Sequence, residues 1–184
     1  MRKFAVVKRF NENEIELPER KTALSAGYDF EVAEDIVIPC YKNIMREFDA
    51  VSWTGSFKPL TLDEVATVTK KHNLKPTLVP TGVKVYLEDD DYLELSVRSS
   101  CPLKHWLILA NGVGIIDQDY ADNIDNDGEI YFQVINLSSF DIQLKKGDIL
   151  GQGIIKKYLI TDNDKANGVR TGGFGSTSTV TNEL

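Results

Sequence analysis

The stretch Asn111-Gly112-Val113-Gly114-Ile115-Ile116-Asp117-Gln118-Asp119-Tyr120 brings two carboxylates and a phenol ring to the end of an apolar run. A carboxylate beside a flat platform suits proton-accepting chemistry next to a bound group. Val113, Ile115 and Ile116 can pack a short strand, with Gly112 and Gly114 allowing close backbone approach. Side chains alternate across a strand, so Asp117 and Asp119 are expected on one side and Gln118 and Tyr120 on the other until the chain turns. Taken alone, the same letters also fit a strand running into an acidic surface turn.

Four further segments carry groups of matching chemistry. Arg170-Thr171-Gly172-Gly173-Phe174-Gly175-Ser176-Thr177 is a Gly-rich tail with one cation and one aromatic. Its glycines free backbone N–H groups to wrap an anion, Arg170 and the hydroxyls add donors, and Phe174 can stack on a planar base. A low-complexity tail is the competing account. Val97-Arg98-Ser99-Ser100 offers a forked donor and two hydroxyls that suit phosphate oxygens, or else a surface turn. Lys145-Lys146-Gly147-Asp148-Ile149-Leu150-Gly151-Gln152 is a tight turn leading into a strand, where a buried Gln152 amide needs partners. Ser25-Ala26-Gly27-Tyr28-Asp29-Phe30 places small residues ahead of an aspartate.

Short strands must position these groups. Residues 3–7, 36–38, 78–87, 92–97, 107–109, 113–116, 130–135, 142–144 and 149–155 are apolar or alternating runs separated by turn signals. Many short strands without intervening helices imply an all-β sandwich or barrel. One stretch differs: Thr61-Leu62-Asp63-Glu64 is a capping box, and Leu62, Val65, Ala66, Thr69 and His72 follow helical spacing until Asn73 and Pro76. Residues 41–76 are therefore expected to be an insertion carrying one helix of about three turns. With Phe48, Trp53, Phe57 and Leu60 it holds more apolar material than a solvated loop needs, and so is expected to pack on its own barrel or on a protein partner.

At 184 residues, 42% hydrophobic and 27% charged, the chain can bury one core without staples. No apolar run approaches the roughly 18 residues of a membrane span, and Met1–Lys8 lacks the features of a secretory signal, so a cytoplasmic protein without membrane contact is expected. Cys40 and Cys101 form no metal-spaced pair, and His72 and His105 are too scattered for a histidine site. A net charge of −7 argues against a nucleic-acid partner. A small phosphate ligand remains open, given local donors and a divalent cation.

In this order the five segments resemble the motif series of the trimeric dUTP diphosphatase (dUTPase) family. They read A-G-Y-D-F at 26–30, R-S-S at 98–100, N-G-V-G-I-I-D-Q-D-Y at 111–120 continuing to G-E-I at 128–130, K-G-D-I-L-G-Q at 146–152, and R-T-G-G-F-G-S-T at 170–177. Val79-Pro80-Thr81-Gly82-Val83 also resembles the family's approach to the second motif. The chain departs from the pattern in the added loop 121–127, in roughly 30 extra residues before the second motif, in Gly151 where alanine is usual, and in Ser178 where a glycine is common.

The resemblance implies a jelly-roll-like dUTPase β-barrel over residues 1–160, interrupted by the 41–76 insertion, and a flexible tail, 161–184, closing over a neighbouring subunit's site in a homotrimer. It implies Mg2+-assisted hydrolysis of dUTP to dUMP and pyrophosphate, limiting uracil in DNA and supplying dUMP. Asp117 would deprotonate the water that attacks the α-phosphorus. Asn111 would read the uracil edge, and Tyr120 would pack on the deoxyribose and exclude a 2′-hydroxyl, with Gly114 and Ile116 in the same wall. Ser99, Ser100 and Gln152 would hold phosphate oxygens, with Arg98 supporting them or the subunit contact. Arg170, Ser176 and Thr177 would clamp the terminal phosphates, and Phe174 with Gly175 would cover the base. The metal would be held chiefly by the triphosphate and water, with Asp29 contributing through water. The alternatives are a dCTP deaminase-like enzyme on the same scaffold and a regulatory protein-binding module using 41–76.

Overall fold

The computed structural model describes residues 1–42, 44, 46, 61–72, 75–170 and 172–173. Eleven strands dominate them: β1 (Lys3–Val6), β2 (Tyr28–Glu31), β3 (Ile36–Ile38), β4 (Thr77–Pro80), β5 (Val83–Tyr86), β6 (Asp91–Val97), β7 (Leu107–Leu109), β8 (Gly114–Asp117), β9 (Tyr131–Asn136), β10 (Ile142–Leu144) and β11 (Ile149–Lys157). Helices α1 (Leu62–His72) and α2 (Ser100–His105) join them.

The strands pair antiparallel in four sheets, β1–β5, β3–β10, β2–β11–β6–β8 and β4–β9–β7. They wrap a single core, which makes a jelly-roll-like β fold. The expected barrel is not closed among the described residues: several strands are only three or four residues long, and turns part the ladders before hydrogen bonding can run full circle.

The core follows the period of two. Leu93 and Leu95 of β6 and Phe132 and Val134 of β9 point inward and are fully buried, while their neighbours along each strand face outward. Phe30 stacks edge-on against Phe4 and Phe132, with ring centroids 5.5 and 5.8 Å apart. β11 makes room for these rings by having no side chain at two core-facing positions, Gly151 and Gly153. A Cβ on Gly151 would lie 2.1 Å from Cε1 of Phe132, and one on Gly153 would lie 2.9 Å from Cε2 of Phe30. Gln152 between them faces the other side.

Three local structures differ from the sequence expectation. The run 78–87 is two strands in different ladders, because the chain turns at Thr81-Gly82, where Gly82 has φ +69° and presses on Ile15. Tyr28–Glu31, hidden behind small residues and an aspartate, is a strand paired with β11. The segment after Arg98-Ser99 is a helical turn rather than a surface loop. Pro102 is tolerated near its start, where no N–H is needed, and Trp106 closes it at φ 56°.

The capping box of α1 forms as read: the Thr61 amide donates to Glu64 Oε2 at 2.7 Å and the Glu64 amide to Thr61 Oγ1 at 3.3 Å. Its apolar side is open, with Leu62 88% exposed and Val65 39%. Phe48, Trp53, Phe57 and Leu60, on which the packing of the insertion depends, lie outside the described residues, as does the side chain of His72.

Candidate active site

Gly112, at φ +72°, turns the chain from β7 into β8. β8 then lies against β6 with Gly114 opposite Leu95 and Asp117 opposite Tyr92. Gly114 packs on the Leu95 side chain, where a Cβ would sit 3.1 Å from Leu95 Cβ. Beyond Asp117 the chain winds into a 3-10 turn, Gln118–Tyr120, and strand alternation stops. Asp117 and Asp119 therefore both reach the outer surface, with half of each side chain exposed. Gln118 bonds outward to Asp89, whereas Tyr120 turns inward and is buried, so these two do not share a side as alternation alone would have it.

Asp117, Asn111, Gly114, Ile116 and Tyr120 line one cleft of about 160 Å³, joined by Leu95, Leu109, Tyr131, Gln133 and Arg170. Arg170 reaches this cleft from far along the chain. Its Nη2 pairs closely with Asp117 Oδ2, its Nε donates to Asp119 Oδ1 at 2.7 Å, and its guanidinium lies 5.8 Å from the centre of the Tyr120 ring. Gly173 follows against the edge of the same ring. Burial pushes the Tyr120 phenol above its ordinary value, partly offset by a hydrogen bond from Asn126.

A second group gathers at the far end of β6. Gln152 stands opposite Asp29 on one side and Ser96 on the other. Its Nε2 donates to Ser96 Oγ at 3.4 Å, and its amide rests against Gly27, where a Cβ would come within 2.6 Å of Oε1. The Arg98 amide donates to the Leu150 carbonyl, and Arg98 Nε stands 3.7 Å from Asp29 Oδ1. Ser99 and Ser100 follow directly, with the Ser99 hydroxyl exposed and not used to cap α2.

β6 serves as a ruler between the two groups. Asp117 is in register with Tyr92 and Gln152 with Ser96, on opposite flanks of β6. Four residues along and two strand spacings across put them about 16 Å apart, and Ser99 lies just past the end of β6 on the Gln152 side. One chain thus holds two separated groups of motif residues: Asn111, Gly114, Ile116, Asp117, Tyr120 and Arg170 in one, and Asp29, Arg98, Ser99, Ser100 and Gln152 in the other. Phe174, Gly175, Ser176 and Thr177 lie outside the described residues.

A model of the dUTPase family matches residues 60–178, more than half the chain. The chain belongs to the dUTPase family. It is 35% identical to the deoxyuridine 5′-triphosphate nucleotidohydrolase of Lactococcus lactis subsp. lactis (strain IL1403), over 96% of this chain and 97% of that one. It is also similar to the crystal structure of dUTPase from Streptococcus mutans, at 31% identity and TM-score 0.66, covering 87% of this chain and 98% of that one. The dUTPase from phage phi11 of S. aureus shares the fold, with TM-score 0.60 at 15% identity over 93% and 99% of the two chains.

Among the described residues no three His, Cys, Asp or Glu side chains group to hold an ion. Asp117 and Asp119 are taken up by Arg170, and Asp29 lies beside Arg98. That donor set fits Mg2+ carried on phosphate oxygens and its own waters, with at most one carboxylate behind the water shell. Sequence reasoning did not find Gln133 and Tyr131 as cleft residues, because outward positions on a strand look alike whether they face solvent or a site. It also missed Asn126, whose signal was its place in the loop where the chain departs from the family pattern.

Proposed function

We propose that the chain hydrolyses dUTP to dUMP and pyrophosphate by attack of water on the α-phosphorus. The observation that carries this reading is the cleft of β8, where an exposed carboxylate, Asp117, stands beside Asn111 and the Tyr120 ring in a chain of the dUTPase family. Asp117 takes the proton of the attacking water, a contribution of about 10²–10⁴-fold for a positioned base. Asn111 and backbone groups of β8 read the uracil edge, and the Tyr120 ring bears on the deoxyribose. Gln152, Ser99, Ser100 and Arg98 hold the phosphate chain, with Phe174, Gly175, Ser176 and Thr177 of the tail completing the closure.

In the free chain Arg170 occupies Asp117 Oδ2, so that oxygen is not open to a water. An arriving triphosphate offers the guanidinium more charge than the two aspartates do, so Arg170 moves to the phosphates and Asp117 is freed as the substrate seats. Mg2+, when bound, offsets the charge of the phosphate oxygens and orients the chain for in-line attack. In this reading Asp29 contributes to the metal site through water. A variant of the phage phi11 enzyme coordinates a structural Mg(II) ion.

The protein works as a homotrimer. The separation of about 16 Å between Asp117 and Gln152 on opposite flanks of β6 supports this, since in this reading both must meet one phosphate chain. A neighbouring copy supplies the missing half. The decisive assay is pyrophosphate release with Mg2+ across dUTP, dCTP, dTTP and UTP, for the wild type and Asp117→Asn. The expected result is selective turnover of dUTP that falls at least 10²-fold in Asp117→Asn while nucleotide binding survives. Near-normal turnover in that variant, or conversion of dCTP to dUTP, would overturn the reading.

A further inference from the structure

The loop 121–127, added relative to the family pattern, is a closely tied structure built on a buried cation. Lys84 is 5% exposed and its Nζ donates to Asp122 Oδ1 at 2.5 Å and Asp127 Oδ1 at 3.0 Å. Asp122 also accepts from the Tyr86 hydroxyl, and Asp127 from the Lys8 amide at 2.8 Å. The neck is pinched at Gly128, where φ is +79° and a Cβ would meet Ala121 Cα at 2.7 Å, so the loop leaves and returns at nearly one point.

Inside this frame two asparagines grip Tyr120 at both ends. Asn123 Nδ2 donates to the Tyr120 carbonyl at 2.9 Å. Asn126 Nδ2 donates to the Tyr120 hydroxyl at 2.7 Å, while Asn126 Oδ1 accepts from the Gly128 amide and from Asn123 Nδ2. The phenol then donates its single proton to the Glu129 carbonyl at 3.0 Å. Glu129 is itself immobilised: its carboxylate is completely buried and accepts from Arg9 Nε and Nη2 at 2.6 and 2.7 Å, from the Tyr131 hydroxyl at 2.7 Å, and from the Gly82 amide at 3.1 Å.

A tyrosine hydroxyl has one proton to give, and here it is committed to main chain. What Tyr120 presents to the cleft is its ring, and the height of that ring is set by what holds the hydroxyl. We infer that Asn126 is a positioning residue for sugar selection: by fixing the Tyr120 hydroxyl between itself and Glu129, it sets the ring at the distance that admits a 2′-deoxyribose and excludes a ribose. The inference rests on the proposed dUTP reading and assigns the added loop a task within it.

The test is kcat/KM for dUTP and for UTP in the full-length protein, for wild type, Asn126→Ala, Tyr120→Phe and the double variant, with thermal melts alongside. Tyr120→Phe removes the hydroxyl and leaves the loop's own bonds intact. Each single variant is expected to lower the dUTP:UTP ratio by about tenfold, the factor one hydrogen bond to a buried group carries. The double variant is expected to match the singles, because both break the same link. Should Asn126→Ala fail to fold, Tyr120→Phe decides alone, and an unchanged ratio in it overturns the inference. So does an equal fall for both substrates in Asn126→Ala, or losses that multiply in the double variant. A wild type inactive on dUTP would instead overturn the proposed function.

Discussion

Gly151→Ala adds one methyl group at the most crowded point of β11. The new Cβ would lie 2.1 Å from Cε1 and 2.4 Å from Cζ of Phe132. Ordinary carbon contacts are about 3.5–4.0 Å, so the ring edge must retreat by roughly 1.5 Å. Phe132 has nowhere to go: it is 1% exposed, its strand is paired on both sides by β4 and β7, and Phe30 packs edge-on against it. Overpacking of this kind costs about 1–3 kcal/mol, which for a domain of this size lowers Tm by roughly 2–12 °C, and the short contact places Gly151→Ala in the upper half of that range. Circular-dichroism melts of wild type, Gly151→Ala, Phe132→Leu and the pair measure it. Phe132→Leu alone loses packing, but the pair is expected to be more stable than the summed losses by about 1 kcal/mol or more, since the smaller side chain vacates the space the methyl needs. The reasoning is refuted if Gly151→Ala melts within about 1 °C of wild type, or if the two losses simply add.

Other outcomes follow from the same geometry. Gly27→Ala would push a Cβ to within 2.6 Å of Gln152 Oε1, a movable side chain rather than a core ring, so kcat/KM for dUTP is expected to fall about tenfold while Tm stays near wild type; a fall in Tm with normal activity would contradict this. Truncation after Gly168 removes Arg170 and Phe174 but no strand among the described residues, so native mass spectrometry is expected to show an intact assembly that binds dUTP and hydrolyses it poorly; loss of the assembly would make the tail structural. Hydrogen bonds from Lys84 and Tyr86 hold the Asp122 carboxyl below the usual range, and for Asp127 the bonds from Lys8 and Lys84 outweigh the opposing effect of burial. Groups with lowered folded values stabilise above their unfolded value of about 3.9 and lose that contribution as pH falls through the folded one. Melts are therefore expected to be level above about pH 5 and to drop below about pH 4, with a shallower acid slope in Lys84→Met.

Much of the fold was legible because its strands obey the period of two: β3, β7 and β10 match the expected runs, β6 starts one residue earlier than its run, and β9 is shifted by one residue at both ends. Thr61 and Glu64 announced α1 through a purely local device. β2 was not legible, since Tyr28 and Asp29 owe their strand to pairing with β11, more than a hundred residues away. Around the candidate site, the motif residues marked two groups of chemistry-bearing side chains but not their separation, which is set by the register of β6 with β8 and β11. The grip of Asn126 on Tyr120 was equally hidden, because a loop rich in Asp and Asn reads as solvated until its buried partner, Lys84, is in view.

The register of β6 also has a consequence for inheritance. Under the proposed assembly each site takes Asp117 from one copy and Gln152 from another, so a chain crippled at Asp117 and a chain crippled at Gln152 are defective in different places. Co-expressed in equal amounts they would restore each other, because about a quarter of the sites in randomly mixed trimers draw both groups from the intact side of each chain. Two null alleles would complement within the assembly, whereas two alleles affecting the same half-site would not. A cross between such mutants would thus report, without any coordinates, which residues work across a subunit boundary.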